Sequence, residues 1–161
     1  MSFTKVIRPR ALGLSNRIGS RTPLNASRKR VKREKLPTIA KLKKQLWEAI
    51  KAEVRKRDKG VCQACGATGL EGSNAQTSHL IASSICGGYL RYDLRNLYLC
   101  CFRCNISLSG NIAELYRNVQ QKHGQAFLDQ LHEDKHKIIQ LDRAFLSGKL
   151  QELVGDNFSN K

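Results

Sequence analysis

The sequence predicts an α+β protein: a small two-stranded element stapled by zinc, flanked by a basic N-terminal helix and by C-terminal helices. Three observations predict it. Cys62-Gln63-Ala64-Cys65 and Cys101-Phe102-Arg103-Cys104 form two C-x2-C pairs with 35 residues between them, and thiolates at that spacing can close on one tetrahedral ion. The stretch between the pairs is broken by Gly66, Gly69, Gly72, Gly87 and Gly88, which leaves room only for brief strands. On either side of it, apolar residues recur at helical spacing.

The elements follow in order. Residues 1–36 carry Pro9, Gly13, Gly19, Pro23 and scattered arginines with no apolar period, and read as a flexible basic arm. Within 37–60, Ile39, Leu42, Leu46, Ile50 and Val54 mark a helix over about 38–57, with Trp47 beside them and lysines and arginines on the other faces. Pro37 and Thr38 supply its start and Lys59-Gly60 its stop. Residues 61–122 form the core region, with strands near 76–81 and 97–99. Asn111 as N-cap would place Glu114 at N3 in a capping box, opening a helix over 112–122 that Gly124 ends. In the C-terminal region 123–161, Phe127, Leu128 and Leu131 mark a further helix. Ile138, Ile139, Leu141, Phe145, Leu146, Leu150 and Leu153 mark a last one over 138–153, which serves either a homodimer interface or the core of the monomer.

Charge sets the partner class. The net charge is +16, and it is not spread evenly: residues 1–60 hold 19 Lys/Arg against 4 Asp/Glu, while residues 61–161 hold 10 against 9. A concentrated positive segment beside a nearly neutral domain suggests a grip on a polyanion, nucleic acid before membrane, the alternative being a solvated tail. Lys41, Lys43, Lys44, Lys51, Arg55, Lys56 and Arg57 on the first helix would meet phosphates rather than bases, with Arg91 and Arg95 between the knuckles as further candidates. Such binding falls steeply with salt and depends little on sequence. No run of 18 apolar residues occurs and the start lacks the apolar core of a secretory signal, so no membrane role and a cytoplasmic location are expected. An organelle transit peptide is the other reading of the Arg-rich residues 1–33, and it leaves the basic helix unexplained. In the cytoplasm thiols stay reduced, so paired cysteines point to metal rather than to disulfides.

Cys62, Cys65, Cys101 and Cys104 are the predicted zinc ligands. A redox C-x-x-C would need one motif opening a helix after a strand, not two flanking a glycine-rich insert. Cys100 adjoins Cys101, but only Cys101 stands at the two-residue gap from Cys104, and Cys86 reads as buried apolar filler. His79 is either a satisfied structural residue or a base: a neutral imidazole can take a proton from water at physiological pH. An amide such as that of Asn96 or Asn105 can orient an imidazole through a ring N–H or ligate a hard divalent cation.

The order C-x2-C, His79, Asn96, C-x2-C-Asn105 resembles the zinc-containing HNH, or ββα-metal, nucleases, phage endonuclease VII among them. It is most similar to the NinG (Rap) recombination endonuclease family of lambdoid phages, over about residues 40–136. The segments that carry this are Leu46 to Asp58, Cys62 to Gly66, Ser78-His79, Leu90 to Asn96, Cys101 to Asn105, Ser109-Gly110-Asn111 and Tyr116-Arg117. The resemblance implies a ββα-metal fold with His79 as general base, Asn96 supporting the hairpin and the histidine, and Asn105 at the metal-ligand position. It implies one catalytic magnesium or manganese ion, a purely structural zinc, and branched DNA such as Holliday junctions and D-loops as substrate. Phage or host recombination proteins are the implied partners, and a phage-encoded chain would act in the host cytoplasm.

One departure from that pattern is visible. Ser78 stands where many such nucleases have a metal-binding Asp or His, and Gln76 where relatives have Asp, so Asp93 and His136 are the nearest residues to complete a metal shell. The expected activity is metal-dependent phosphodiester hydrolysis. A non-catalytic zinc-stapled DNA-binding protein accounts for the charge and the zinc equally. An RNA-binding zinc-ribbon protein leaves His79 and Ser109-Gly110-Asn111 without a role, and the chain offers few aromatic stacking positions for it.

Overall fold

The computed structural model describes residues 36–155. The basic arm expected over 1–36 thus lies, but for Leu36, outside the described residues. Helix α1 (Ile39–Asp58) opens on Thr38, whose hydroxyl accepts from the Lys41 N–H at 3.2 Å. It closes on Lys59 and Gly60, at φ 49° and 69°, the left-handed turn that ends a helix. Its residues Leu42, Leu46, Ile50 and Val54, one turn apart, are all buried, whereas Ile39 is exposed.

Strands β1 (Ala75–His79) and β2 (Leu97–Cys101) pair antiparallel, with Ala75 opposite Cys101 and His79 opposite Leu97. The short helix α2 (Gly87–Arg91) and a 3-10 turn (Leu94–Asn96) lie between them. After β2 comes a π-helical turn (Arg103–Ser107), then α3 (Ile112–His123), α4 (Gln125–Asp134) and α5 (Arg143–Gly155). The buried face of α1 meets Leu97 and Leu99 of β2 and the buried leucines Leu115, Leu128, Leu131 and Leu146 in one core. Burying each such side chain stabilises the fold by about 2 kcal/mol. The result is a helical protein built around a two-stranded sheet, α+β as the sequence predicts.

A polar clamp joins α1 to the sheet. Asp58, buried at the end of α1, accepts from the Leu99 N–H at 2.7 Å and from Arg57 Nε at 2.7 Å. Arg57 also donates to the carbonyls of Leu94 and Leu97 and lies 5.0 Å from the Tyr98 ring centroid. A carboxylate satisfied on both oxygens is what permits a charge to be buried here.

Two expectations are corrected. The last helix begins at Arg143, not near 138: Ile138 is exposed, and Asp142 Oδ1 accepts from the Phe145 N–H at 2.8 Å to start α5. Residues 137–139 instead run as irregular chain against α2. A Cβ at Gly87 would stand 3.0 Å from the Lys137 carbonyl oxygen, and one at Gly88 2.9 Å from that of Ile139, so the glycine pair admits the passing backbone. The Asn111–Glu114 capping box is absent. Asn111 is left-handed (φ 45°, ψ 47°), outside the extended region a capping side chain needs; its amide turns to Cys104 Sγ, and Glu114 pairs with Arg117. Helix α5 packs along α1 with Leu146 fully buried, so the apolar residue at its centre is taken up by the core of this same chain.

Candidate functional site

The first knuckle is a tight loop at the end of α1. Cys62 N–H donates to the Ala67 carbonyl at 2.8 Å, Gly66 N–H returns to the Cys62 carbonyl at 2.9 Å, and Gly66 adopts φ 74°. Gln63 N–H reaches the Leu99 carbonyl at 2.8 Å, which ties this loop to β2, and the Asn118 amide on α3 donates to the Gln63 and Ala64 carbonyls. The second knuckle runs from the last residue of β2 into the π-helical turn. The four sulfurs of Cys62, Cys65, Cys101 and Cys104 lie within 4.8 Å of one another. Cys65 Sγ and Cys101 Sγ stand 3.8 Å apart, the edge of a tetrahedron with metal–sulfur distances of about 2.3 Å.

Hydrogen-bond donors converge on the sulfurs. The N–H groups of Cys65 and Cys101 approach Cys62 Sγ at 3.5 and 3.3 Å, that of Cys104 approaches Cys101 Sγ at 3.4 Å, and Asn111 Nδ2 approaches Cys104 Sγ at 3.5 Å. Burial opposes ionisation of Cys62, but those backbone donors outweigh it and bring the thiol down to about 7. Burial pushes Cys104 up to about 12 against the Asn111 amide, so a cation is needed to hold all four as thiolates. The cluster can bind a structural metal such as zinc, and four protein sulfurs fill a tetrahedral shell with no position left for water. Cys100 and Cys86 are fully buried, with thiols pushed up by burial, and stand outside the cluster.

His79 ends β1 and lies in a separate cleft of about 330 Å³, lined by Lys43, Lys44, Trp47, Arg91 and Tyr92. Its ring stacks on Trp47 with centroids 5.7 Å apart and planes 7° from parallel. Nε2 stands 3.2 Å from the Arg91 carbonyl oxygen. A carbonyl only accepts, so Nε2 carries the hydrogen and Nδ1 keeps the lone pair in the neutral ring. Burial lowers the His79 pKa below the usual 6.5, and the Arg91 guanidinium adds to this while its carbonyl opposes it. The imidazole is neutral at pH 7.

The other predicted residues fall elsewhere. Asn96 is fully buried; it accepts from Ile81 N–H at 2.7 Å and donates to the Ile81 and Leu90 carbonyls. It fixes the chain that follows His79, and the Arg91 carbonyl, not Asn96, orients the imidazole. Asn105 sits half-buried on the π-helical turn, does not line the His79 cleft, and its side chain makes no hydrogen bond among the described residues. Asp93 caps the Leu94–Asn96 turn and pairs with Arg95, which also reaches Asp134, so both are spent on internal partners, as Arg57 is. His136 is exposed beyond α4. Lys41, Lys44, Lys51, Arg55 and Lys56 lie along α1, with Lys51 held by Glu48 and Lys56 by Glu53. Among the described residues no carboxylate lines the His79 cleft, and the four cysteines are the one group of three or more His, Cys, Asp or Glu side chains whose donor atoms can meet on an ion.

Trp47, Tyr92 and Asn111 are site residues whose part in the site is not legible in the sequence. The helical period places Trp47 one turn beyond Lys43, but nothing along the chain pairs it with His79. The left-handed backbone of Asn111, which turns its side chain from helix capping to Cys104, is not legible from residue type alone.

No helix among the described residues is long and apolar enough to cross a membrane. No curated protein and no solved structure matches the chain. One family model does, that of the bacteriophage lambda NinG protein, over residues 15–147. That span takes in α1, both knuckles, the His79 cleft and the start of α5, and on that match the chain belongs to the NinG family.

Proposed function

We propose that the protein is a metal-dependent DNA endonuclease that hydrolyses phosphodiester bonds in branched recombination intermediates, Holliday junctions and D-loops among them, on a ββα-metal (HNH) core. The observation that carries this reading is the setting of His79: a neutral imidazole with Nδ1 unprotonated, held by Trp47 and the Arg91 carbonyl, in an open cleft with Lys43, Lys44 and Arg91. Three cations draw a backbone phosphate into the cleft. Nδ1 then takes the proton from the attacking water. Asn96 keeps the strand end from shifting as the base works, because a misplaced base loses rate steeply.

A divalent magnesium or manganese ion would stabilise charge on the phosphate and on the leaving oxygen. The described residues do not make a full shell for it: near the knuckle Asn105 offers a free amide, but hard cations favour carboxylates and none lines the cleft. This same gap favours the second reading, a zinc-stapled protein that binds nucleic acid without cutting it. Cutting a junction on two strands calls for two active centres, so the proposal includes two copies of the chain on one junction, observable by sedimentation with and without DNA.

The test uses labelled four-way junction, D-loop and linear duplex with wild type and His79→Ala, each with magnesium, with manganese and with chelator. Divalent-dependent cleavage lost in His79→Ala is expected. Binding with no cut on any substrate would replace the nuclease with the second reading.

A further inference from the structure

A second concavity lies at the far end of the α1–β1 groove. It encloses about 430 Å³ and is lined by Arg55 and Lys59 at the end of α1, by Gly60, and by Gly69, Glu71 and Gly72 of the loop that leads into β1. Arg55 Nη2 donates to the Ala75 carbonyl at 3.2 Å, which anchors the guanidinium on a residue that also lines the crevice. Lys59 makes no ion pair among the described residues. The backbone N–H groups of Gly69, Glu71 and Gly72 find no acceptor among the described residues either. Gly69 and Gly72 have positive φ (70° and 52°), and a Cβ on either would meet nothing within 4 Å, so the loop leaves open space above its backbone. Two cations and unpaired N–H groups of a glycine loop around one crevice are the elements of an anion site, and the carboxylate of Glu71 on its rim works against it.

Its distance from His79 follows twice over. Ala75 lines the crevice and His79 the cleft. Four residues apart on one strand, they face the same side, about 13 Å apart. On α1 the matching residues are Arg55, bonded to Ala75, and Trp47, stacked on His79; eight residues of helix span about 12 Å. Because a DNA strand winds about the duplex axis as it advances about 3.4 Å per nucleotide, its successive phosphates stand about 6–7 Å apart, so the separation corresponds to about two nucleotides.

We infer that this crevice is a second phosphate site, one that holds a backbone phosphate about two nucleotides from the bond presented to His79. The phosphate chemistry stands on the crevice alone, whereas its assignment to the strand being cut rests on the nuclease reading. The site would set the register of the strand without reading its bases.

Two measurements on the full zinc-loaded chain test this. In the first, inorganic phosphate is titrated while amide resonances are followed by NMR. Saturable shifts at Gly69, Glu71 and Gly72 are expected, with affinity reduced about tenfold in Arg55→Gln and raised in Glu71→Gln. Shifts at these amides that never saturate, or that match those near Lys135 and Lys149, would overturn the site. In the second, uncharged methylphosphonates replace single phosphates along one arm of a four-way junction bound without added magnesium or manganese. A loss of about fivefold to tenfold is expected at one position about two nucleotides from the cut, and none there in Arg55→Gln with Lys59→Gln. A flat scan would remove the register assignment even if the phosphate titration succeeds. A junction that is neither bound nor cut would sink the nuclease reading, while the titration still decides the crevice.

Discussion

The role proposed for His79 rests on neighbours far away in sequence. Its Nε2 hydrogen goes to Arg91 and its ring face to Trp47, which leaves Nδ1 as the only site for an incoming proton. Because burial lowers its pKa from 6.5, the base form persists to lower pH than in a free histidine. The acid limb of a pH–rate profile for cleavage is therefore expected below 6.5, and a limb above it would show that some other group is titrating. The same shift bears on stability with a definite sign. The unfolded chain protonates at this residue more readily than the folded one, so the contribution is present above 6.5 and is lost as pH falls through the lower folded value. Urea melts of wild type and His79→Gln between pH 5 and 7.5, with the variant less sensitive to acid, check it.

At the scale of elements, the site depends on the junction of α1 with the sheet. Asp58 receives the Leu99 N–H and the Arg57 guanidinium at a buried position. Asp58→Ala would leave a strand N–H and a cation unpaired, and is expected to cost about 3 kcal/mol in denaturant unfolding. A loss under 1 kcal/mol would mean that solvent reaches the clamp. The sequence makes α1 legible through the Thr38 cap and the apolar period Leu42 to Val54, and it marks α3 by its apolar period although the cap at Asn111 does not form. It failed at Ile138, where apolar composition suggested helix but the backbone of 137–139 is held against Gly87 and Gly88. Composition carries no signal for such a contact between segments fifty residues apart.

On the scale of the whole molecule, the cysteine cluster joins the end of α1, the end of β2 and the start of α3, because Asn111 and Asn118 of the last segment bind the knuckles. Metal removal should therefore do more than empty a site. Chelation of zinc is expected to lower the melting temperature of the full chain and to broaden amide spectra of both strands, while an unchanged melt would make the metal dispensable. Metal binding releases thiol protons, so zinc affinity should fall as pH falls. Asn111→Ala, which removes one donor to Cys104, is expected to weaken zinc affinity by about tenfold in competition with a chelating dye.

The sequence by itself determined the metal cluster, the basic helix and the two-strand insert. Each is written in local spacing: two residues between cysteines, three or four between apolar positions, glycines between short strands. Only the tertiary structure decided which basic residues are spent internally, as Arg57 and Arg95 are, and which face the clefts, as Lys43, Lys44 and Arg55 do. It also decided that Trp47 and the Arg91 carbonyl, rather than Asn96, hold His79. The physical reason is that a side chain's charge is fixed by its type, whereas its partner is fixed by packing between segments that the chain brings together only when it folds.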